Sequence, residues 1–292
     1  MYKVGIIGNG FVGSSIASGF GLHSEIRIFD QDPAKSSHSF EEVLESEFVF
    51  VSVPTPMDVG NGNRIDLSIV RNVFEKISNH ISKISPSSVE TVVILKSTVI
   101  PGTTAKLSSE FPDLEIVFNP EFLTERNARL DFINSSRIVL GGSSEACDRV
   151  AGLYRERFPY TSIISTDTRS AEFIKYMCNC FFSTKISFMN EMKQCANHLG
   201  LDWDKVMSGF MKDGRIGNSH IEVPGHDGSL GFGGKCFPKD LNAFINFFEE
   251  LGIDPLVMRA TWQKNLEVRR NKDWESIPGA TSTKLNLKTT KG

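Results

Sequence analysis

Six residues near the amino terminus constrain this chain more than any others. Gly8-Asn9-Gly10-Phe11-Val12-Gly13 directly follows the apolar run Lys3–Gly8 and opens a helical pattern over Phe11–Leu22. A glycine turn between a strand and a helix brings backbone close to a ligand. The free N–H groups of the helix start can then meet a pyrophosphate. Asp30 ends the next apolar run, Glu25–Asp30, at the offset of about 20 residues where a carboxylate accepts from both hydroxyls of an adenosine ribose. The same carboxylate would repel a 2′-phosphate, so the pattern points to NAD rather than NADP. The competing reading is a glycine turn without a ligand, and the flanking strand, helix and acid argue against it.

The following residues keep the alternation of short β-branched runs with helical stretches. Strands are expected at Phe48–Val53, Thr91–Lys96, Glu115–Asn119, Arg137–Leu140 and Thr161–Ser165, and helices at Phe40–Glu45, Leu67–Ile84, Thr103–Phe111 and Glu145–Phe158. Such alternation predicts parallel βαβ units. The fold class is therefore α/β: an N-terminal Rossmann-type parallel sheet over residues 1–166, followed by a helical domain over 167–271. Ser170–Leu199 has no helix breaker and would form a central helix of roughly 45 Å. Its apolar residues cover most of the circumference, so burial in a helical domain or an oligomer interface is expected. Helices follow at Trp203–Lys212, Lys239–Leu251 and Pro255–Arg269, and residues 272–292 read as a loose polar tail.

Composition excludes several classes of protein. At 40% hydrophobic and 23% charged, 292 residues can bury a sizeable core. A net charge of −3 gives no reason to expect nucleic acid or an anionic membrane surface. No apolar run approaches the ~20 residues that span a bilayer. The five cysteines are Cys147, Cys178, Cys180, Cys195 and Cys236, odd in number and without a C-x-x-C pair. A disulfide framework or a zinc site is not expected, and a reducing cytoplasm fits best.

A second concentrated signal is Gly231-Phe232-Gly233-Gly234-Lys235-Cys236-Phe237-Pro238-Lys239-Asp240. Pro238 suits a first helical turn. Cys236 would then sit near a helix N-terminus beside Lys235 and Lys239, features that favour the thiolate. A lone cysteine is often an inert packing residue, but the glycine and lysine flanks favour a nucleophile. A thiolate beside NAD could form a thiohemiacetal with an aldehyde and, after hydride loss, a thioester. Lys175 and Asn179, one turn apart on the long helix, could stabilise an oxyanion. The bland alternative is a lysine that snorkels or pairs with Glu172. Asn119-Pro120-Glu121-Phe122-Leu123-Thr124-Glu125, Ser97-Thr98 and Val53-Pro54-Thr55-Pro56 each follow a strand, where open α/β sheets bind ligands.

Taken in order, these motifs resemble the UDP-glucose/GDP-mannose dehydrogenase family over residues 1 to about 270. The resemblance implies oxidation of a sugar 6-hydroxyl to a carboxylate with two NAD. It makes Cys236 the nucleophile and gives Lys175 and Asn179 the oxyanion and water-holding roles. Asp240 and Thr98 would position water or assist proton transfer, and Glu121 would act in thioester hydrolysis. Glu125 would touch cofactor and substrate, while Lys35, Ser97, Lys239 and the stretch Val53, Pro54, Thr55 and Pro56 line the NAD site. Phe122, Leu123, Phe232 and Gly233 would border the substrate. Arg215 looks like the arginine that family members extend to the substrate of a partner subunit, which implies a homodimer built on the long helix. The Gly233–Asp240 ending looks closest to the UDP-glucose branch, with GDP-mannose as an alternative. Family members continue into a second Rossmann-like domain that grips the nucleotide. Only about twenty residues follow Arg270 here, too few for another βαβ unit. That domain is therefore expected to be absent, and a separate chain could be needed to complete the site.

Overall fold

The computed structural model describes residues 1–83 and 91–282. In chain order the first elements are β1 (Tyr2–Ile7), α1 (Phe11–Phe20), β2 (Ser24–Phe29), α2 (Phe40–Leu44) and β3 (Phe48–Val51). A short antiparallel hairpin follows, β4 (Met57–Asp58) with β5 (Arg64–Ile65). Then come α3 (Ser68–Ile81), β6 (Val92–Leu95), α4 (Thr103–Glu110), β7 (Glu115–Phe118), α5 (Ala128–Ile133), β8 (Arg137–Gly141), α6 (Ser144–Arg157) and β9 (Ser162–Thr166). The remaining helices are α7 (Thr168–His198), α8 (Trp203–Phe210), α9 (Phe237–Glu250) and α10 (Leu256–Val268). The expected end of the third helix at Ile84 lies outside the described residues.

Two compact units result. One comprises Met1–Thr55 with Leu67–Lys175, the other Pro56–Asp66 with Tyr176–Gly292. The division falls inside α7 rather than before it, and the hairpin at 56–66 belongs with the later residues, which sequence periodicity alone did not reveal.

The first unit is a seven-stranded sheet of order β2-β1-β3-β6-β7-β8-β9. Apolar side chains cover both faces. Val4, Ile6, Phe50 and Ile94 point to one side with α1 and α6 residues, and Ile7, Val49, Val51 and Val93 to the other. Strands buried on both faces read as continuous apolar runs, the pattern of a parallel sheet. One pair departs from the expected parallel order: β8 meets β7 antiparallel at Phe118 and Gly141. The connection between them carries α5, which packs on α1 where Gly19 lies against the Phe132 ring with no room for a Cβ. It re-enters the sheet from the end at which β7 left it. The chain turns from β2 back past β1 to β3, so the switch in strand order lies between β1 and β3. Open sheets bind ligands beyond their carboxyl ends at such a point.

In the second unit α9 and α10 pack together, Tyr176 stacks on Phe244 at 4.9 Å, and Met189, Ile221 and Val223 form a small core with Trp203, Met207 and Met211. Several of its α7 apolar side chains face solvent instead: Met177, Phe181, Phe188 and Met192 are 38–63% exposed, as is Phe173 of the first unit. Among the described residues, no helix is long and apolar enough to cross a membrane.

Residues 272–282 differ from the loose tail expected, and the rest of that stretch lies outside the described residues. Trp274 and Ala280 are buried against Met57, with Trp262 and Ile277 around them. Met57 N donates to Ala280 O at 2.9 Å and Ser282 N to Met57 O at 2.9 Å. A polar composition concealed one indole ring and a backbone pairing that anchor the segment. Trp274→Ala should therefore lower unfolding free energy by about 3–5 kcal/mol, as for other buried aromatics. Denaturant unfolding that changes by less than about 0.5 kcal/mol, the usual surface value, would show instead a segment that is merely draped over the surface.

Candidate active site

The glycine turn adopts the geometry its composition implies. Gly8 has φ +94°, and a Cβ there would strike the Ser52 carbonyl. A Cβ on Gly13 would overlap the Gly8 carbonyl, so α1 starts in close contact with the end of β1. Ser52 Oγ donates to Gly8 O at 2.8 Å, tying the ends of β3 and β1 together. Gly10, by contrast, has open space where a Cβ would be, and α1 starts there without a side-chain cap. Its first amides are thus available to an anion. Asp30 is half-buried at the end of β2, accepting from Asn9 N at 2.6 Å and Asp32 N at 2.9 Å. Asn9 Nδ2 donates to Lys35 O at 2.8 Å, whereas its buried Oδ1 has no hydrogen-bond partner. An orphaned acceptor, an uncapped helix start and open space over Gly10 together fit a dinucleotide. The Lys35 side chain is exposed and approaches Asp32 at 3.5 Å.

At the carboxyl ends of β6 and β7 the first unit buries three charges. Lys175 Nζ donates to Glu121 Oε1 at 2.8 Å, with the two side chains only 3% and 6% exposed. The other carboxylate oxygen accepts from Leu123 N at 2.7 Å. Lys175 also lies 5.7 Å from the Phe122 ring centre, on which Arg137 stacks at 4.2 Å. Glu172, the alternative partner considered for Lys175, instead accepts from Gly102 N, Thr104 N and Thr104 Oγ1. Burial nonetheless raises its pKa. Removing one member of a buried pair such as Lys175–Glu121 typically costs about 3–5 kcal/mol, because the survivor stays buried and uncompensated.

Sequence reasoning missed the third charge, Lys96. Its ammonium donates to Asn119 Oδ1 at 3.0 Å and Pro120 O at 3.3 Å. Asn119 also accepts from Tyr154 Oη at 2.6 Å and donates to Val139 O at 2.7 Å. The available signal was a single lysine closing an otherwise apolar strand. Ser97 Oγ donates to Val53 O at 2.7 Å, and Thr98 follows half-buried. Pro54 and Glu125 are exposed, and Thr55 and Pro56 are buried.

In the second unit Cys236 occupies the N-cap of α9, half-buried, with Pro238 in the first turn. Asp240 N donates to Cys236 O at 2.8 Å, placing the acid one turn beyond the thiol. Asp240 is 1% exposed; it accepts from Asn179 Nδ2 at 2.6 Å and from Lys239 Nζ. The Lys239 ammonium expected to support a thiolate is therefore engaged by Asp240. Cys180, buried beside the same acid, has its thiol pushed well up, first by burial and then by that negative charge. Phe232 and Gly233 lie in the loop before Cys236. Arg215 stands apart, 89% exposed in its side chain and bidentate to Asp213 at 2.9 and 2.6 Å.

A mostly parallel sheet whose switch point carries an uncapped glycine turn defines a dinucleotide-binding fold of the Rossmann type. The NAD binding domain model of the UDP-glucose/GDP-mannose dehydrogenase family matches residues 34–157, and that family's central domain model matches residues 169–267. The chain belongs to the UDP-glucose/GDP-mannose dehydrogenase family, and its cofactor is NAD. It is 34% identical over 236 residues to a UDP-glucose 6-dehydrogenase of Rickettsia bellii, covering 78% of this chain and 51% of that one. A second UDP-glucose 6-dehydrogenase, TuaD of Bacillus subtilis, is 30% identical over 252 residues, 84% of this chain and 52% of that one. The structure of a UDP-glucose dehydrogenase from Pyrobaculum islandicum superposes with a TM-score of 0.80 at 29% identity, covering 91% of this chain and 68% of that one. The chain spans about half the length of the curated relatives it matches.

Burial pulls the Lys96 pKa from 10.5 down to about 7, with Glu121 opposing the shift and Lys175 reinforcing it. The unfolded chain therefore holds one more proton than the folded one between pH 7 and 10.5. Folding stability must rise with pH across that window, and the full cost of the buried charge applies below it. Against a Lys96→Met variant, the unaltered protein should gain roughly 1 kcal/mol per pH unit between pH 7 and 10. Urea unfolding curves that run parallel for the two proteins over this range would refute a buried, neutralising Lys96.

Proposed function

We propose that this protein oxidises UDP-glucose to UDP-glucuronate, using two NAD per sugar. The observation that carries this reading is the turn at the start of α9, where Cys236 is followed four residues later by a buried Asp240 bonded to Asn179. A thiol at a helix start is predisposed to ionise, and the adjoining acid and amide can hold water or a proton.

When bound at the Gly8–Gly13 turn, NAD would supply the hydride acceptor for each of the two oxidations. In the first, the 6-hydroxyl loses its proton and one hydride to become an aldehyde. The Cys236 sulfur then adds to the aldehyde carbon, and the hydroxyl formed remains on the thiohemiacetal. Loss of the second hydride and of the hydroxyl proton leaves a thioester on Cys236. Water cleaves the carbon–sulfur bond, releasing carboxylate and returning the thiol. Lys175 and Asn179 serve the oxygen that bears developing negative charge, a role for fixed cationic and amide donors. Glu121, paired with Lys175, and Asp240, paired with Asn179, take or hold protons as water attacks, with Thr98 orienting that water. Glu125 and the backbone around Phe122, Leu123, Phe232 and Gly233 contact the sugar. Val53 to Pro56, Ser97, Lys35 and Lys239 complete the cofactor surroundings.

A second reading is supported by the chain's span of about half its curated relatives: a unit that binds NAD yet requires a separate chain for turnover. Absorbance at 340 nm with NAD and a panel of UDP- and GDP-sugars separates the two. UDP-glucose should yield two NADH per sugar, and Cys236→Ser should abolish acid formation, a loss of at least 1,000-fold. Absence of NADH with every sugar would remove the first reading and leave the second.

Homodimerisation through α7 belongs to the same proposal, supported by the apolar stripe of Phe173, Met177, Phe181 and Phe188 that solvent would otherwise cover. Light scattering should report a dimer for the unaltered chain and a monomer for Phe181→Glu. A monomer for both would dispose of it.

A further inference from the structure

The glycine-rich loop ahead of Cys236 has its backbone amides held by side chains from three separate elements. Asn190 of α7 accepts from Gly231 N at 3.1 Å. Asn265 of α10 accepts from Phe232 N at 2.7 Å and donates to Phe232 O at 3.0 Å. Asp273 accepts from Gly234 N at 3.1 Å, the last of these anchors before the cysteine. Asp273 is in turn paired with Arg269 at 3.2 Å, and Arg269 also reaches Asp227 upstream of the loop at 2.8 Å. The Arg269 side chain is 2% exposed, so its charge depends on these two acids. Gly233 lies flat on this pair: a Cβ there would overlap both the Asp273 carboxylate and the Arg269 guanidinium.

A chain of glycines has more freedom to lose than any other segment, and will not stay ordered unless something holds it. Here an ion pair ties the loop's entrance, Asp227, to its exit, Gly234. Asp273 lies beyond the segment matched by the central-domain model, in the stretch whose composition suggested a loose tail. Trp274, the next residue, is buried against Met57 and Ala280 and so anchors the backbone beside Asp273.

We infer that Asp273, held by Arg269, is a positioning residue for Cys236, keeping the Gly231–Lys235 loop ordered so that the thiol sits at the start of α9. The inference deepens the proposed function and rests on its assignment of Cys236 as nucleophile. Its test, however, needs no turnover.

Two measurements on the full chain test it: amide hydrogen exchange at Phe232 and Gly234, and site-resolved alkylation of Cys236 by iodoacetamide as a function of pH. In the unaltered protein the Gly234 amide should exchange at least 100-fold more slowly than in an unstructured peptide. Free exchange there overturns the inference without any variant. In Asp273→Ala, exchange at Phe232, whose own partner Asn265 is intact, should accelerate at least tenfold. The alkylation midpoint should also rise by half a pH unit or more as Cys236 shifts from its N-cap position at the start of α9. Charge alone predicts the opposite sign, because removing a carboxylate favours a nearby thiolate. Asp273→Asn keeps an acceptor for Gly234 and should restore both readings to within threefold and 0.2 unit. If Asp273→Ala does not fold, Gly233→Ala, which retains both charged residues but displaces them, should show the same two changes. A folded Asp273→Ala or Gly233→Ala variant with unaltered Phe232 exchange, or with a midpoint that stays or falls, overturns the inference. Failure to oxidise any nucleotide sugar would count against the proposed function and leave these readings intact.

Discussion

A charge removed from water has to be matched, and at the carboxyl ends of β6 and β7 this chain removes three. Glu121 and Lys175 match each other at 2.8 Å. Lys96 is held by neutral oxygens, and burial, reinforced by the nearby Lys175 charge, makes its ammonium easier to deprotonate. The arrangement is expensive to assemble and intolerant of partial loss. Asn119 is bonded accordingly: it accepts from Lys96 and Tyr154 and donates to Val139 O. A sheet face filled with valine and isoleucine supplies the rigid support for such a cluster, as interiors packed at crystal-like density do not yield by small amounts.

The second unit solves a related problem with different means. The segment ahead of Cys236 is mostly glycine, which allows close approach but supplies no packing of its own. Order therefore comes from outside the loop: from Asn190 and Asn265, whose amides replace a missing sheet partner, and from the Arg269–Asp273 pair. The acid nearest the thiol along α9, Asp240, is kept buried by Asn179 and Lys239. In each unit, then, these buried polar side chains already have protein partners: Lys175 has Glu121 in the first, and Asn179 has Asp240 in the second. Catalytic use of Lys175 or Asn179 would mean sharing a hydrogen bond with substrate rather than filling an empty valence, and the partners would hold these groups in orientation meanwhile.

Much of the first unit was legible in the residues. Strand runs such as Phe48–Val51 have no polar interruption, and the Gly8–Gly13 turn admits one backbone geometry because Gly13 must pass under the Gly8 carbonyl. The antiparallel β7–β8 pair was not legible. An apolar strand reads the same in either direction, and only the packing of Phe132 on Gly19 fixes the end from which β8 is entered. Candidate site residues followed the same division. Cys236 and Asp240 are four apart on one helix, so their proximity follows from helical pitch. Lys96 to Asn119 and Asp273 to Gly234 span 23 and 39 residues. No local pattern connects them.

What the sequence alone determined was every feature with a short period: the alternation of strands and helices, the glycine turn, the acid at the end of β2, and the cysteine ahead of a helix. These depend on steric and hydrogen-bonding preferences of neighbours, which act whatever the rest of the chain does. Only the tertiary structure decided which buried charges meet, that residues 56–66 join the later unit, and that Trp274 pins a polar stretch into a core. Those outcomes depend on the burial of distant side chains together, and burial is a property of the packed molecule rather than of any segment within it.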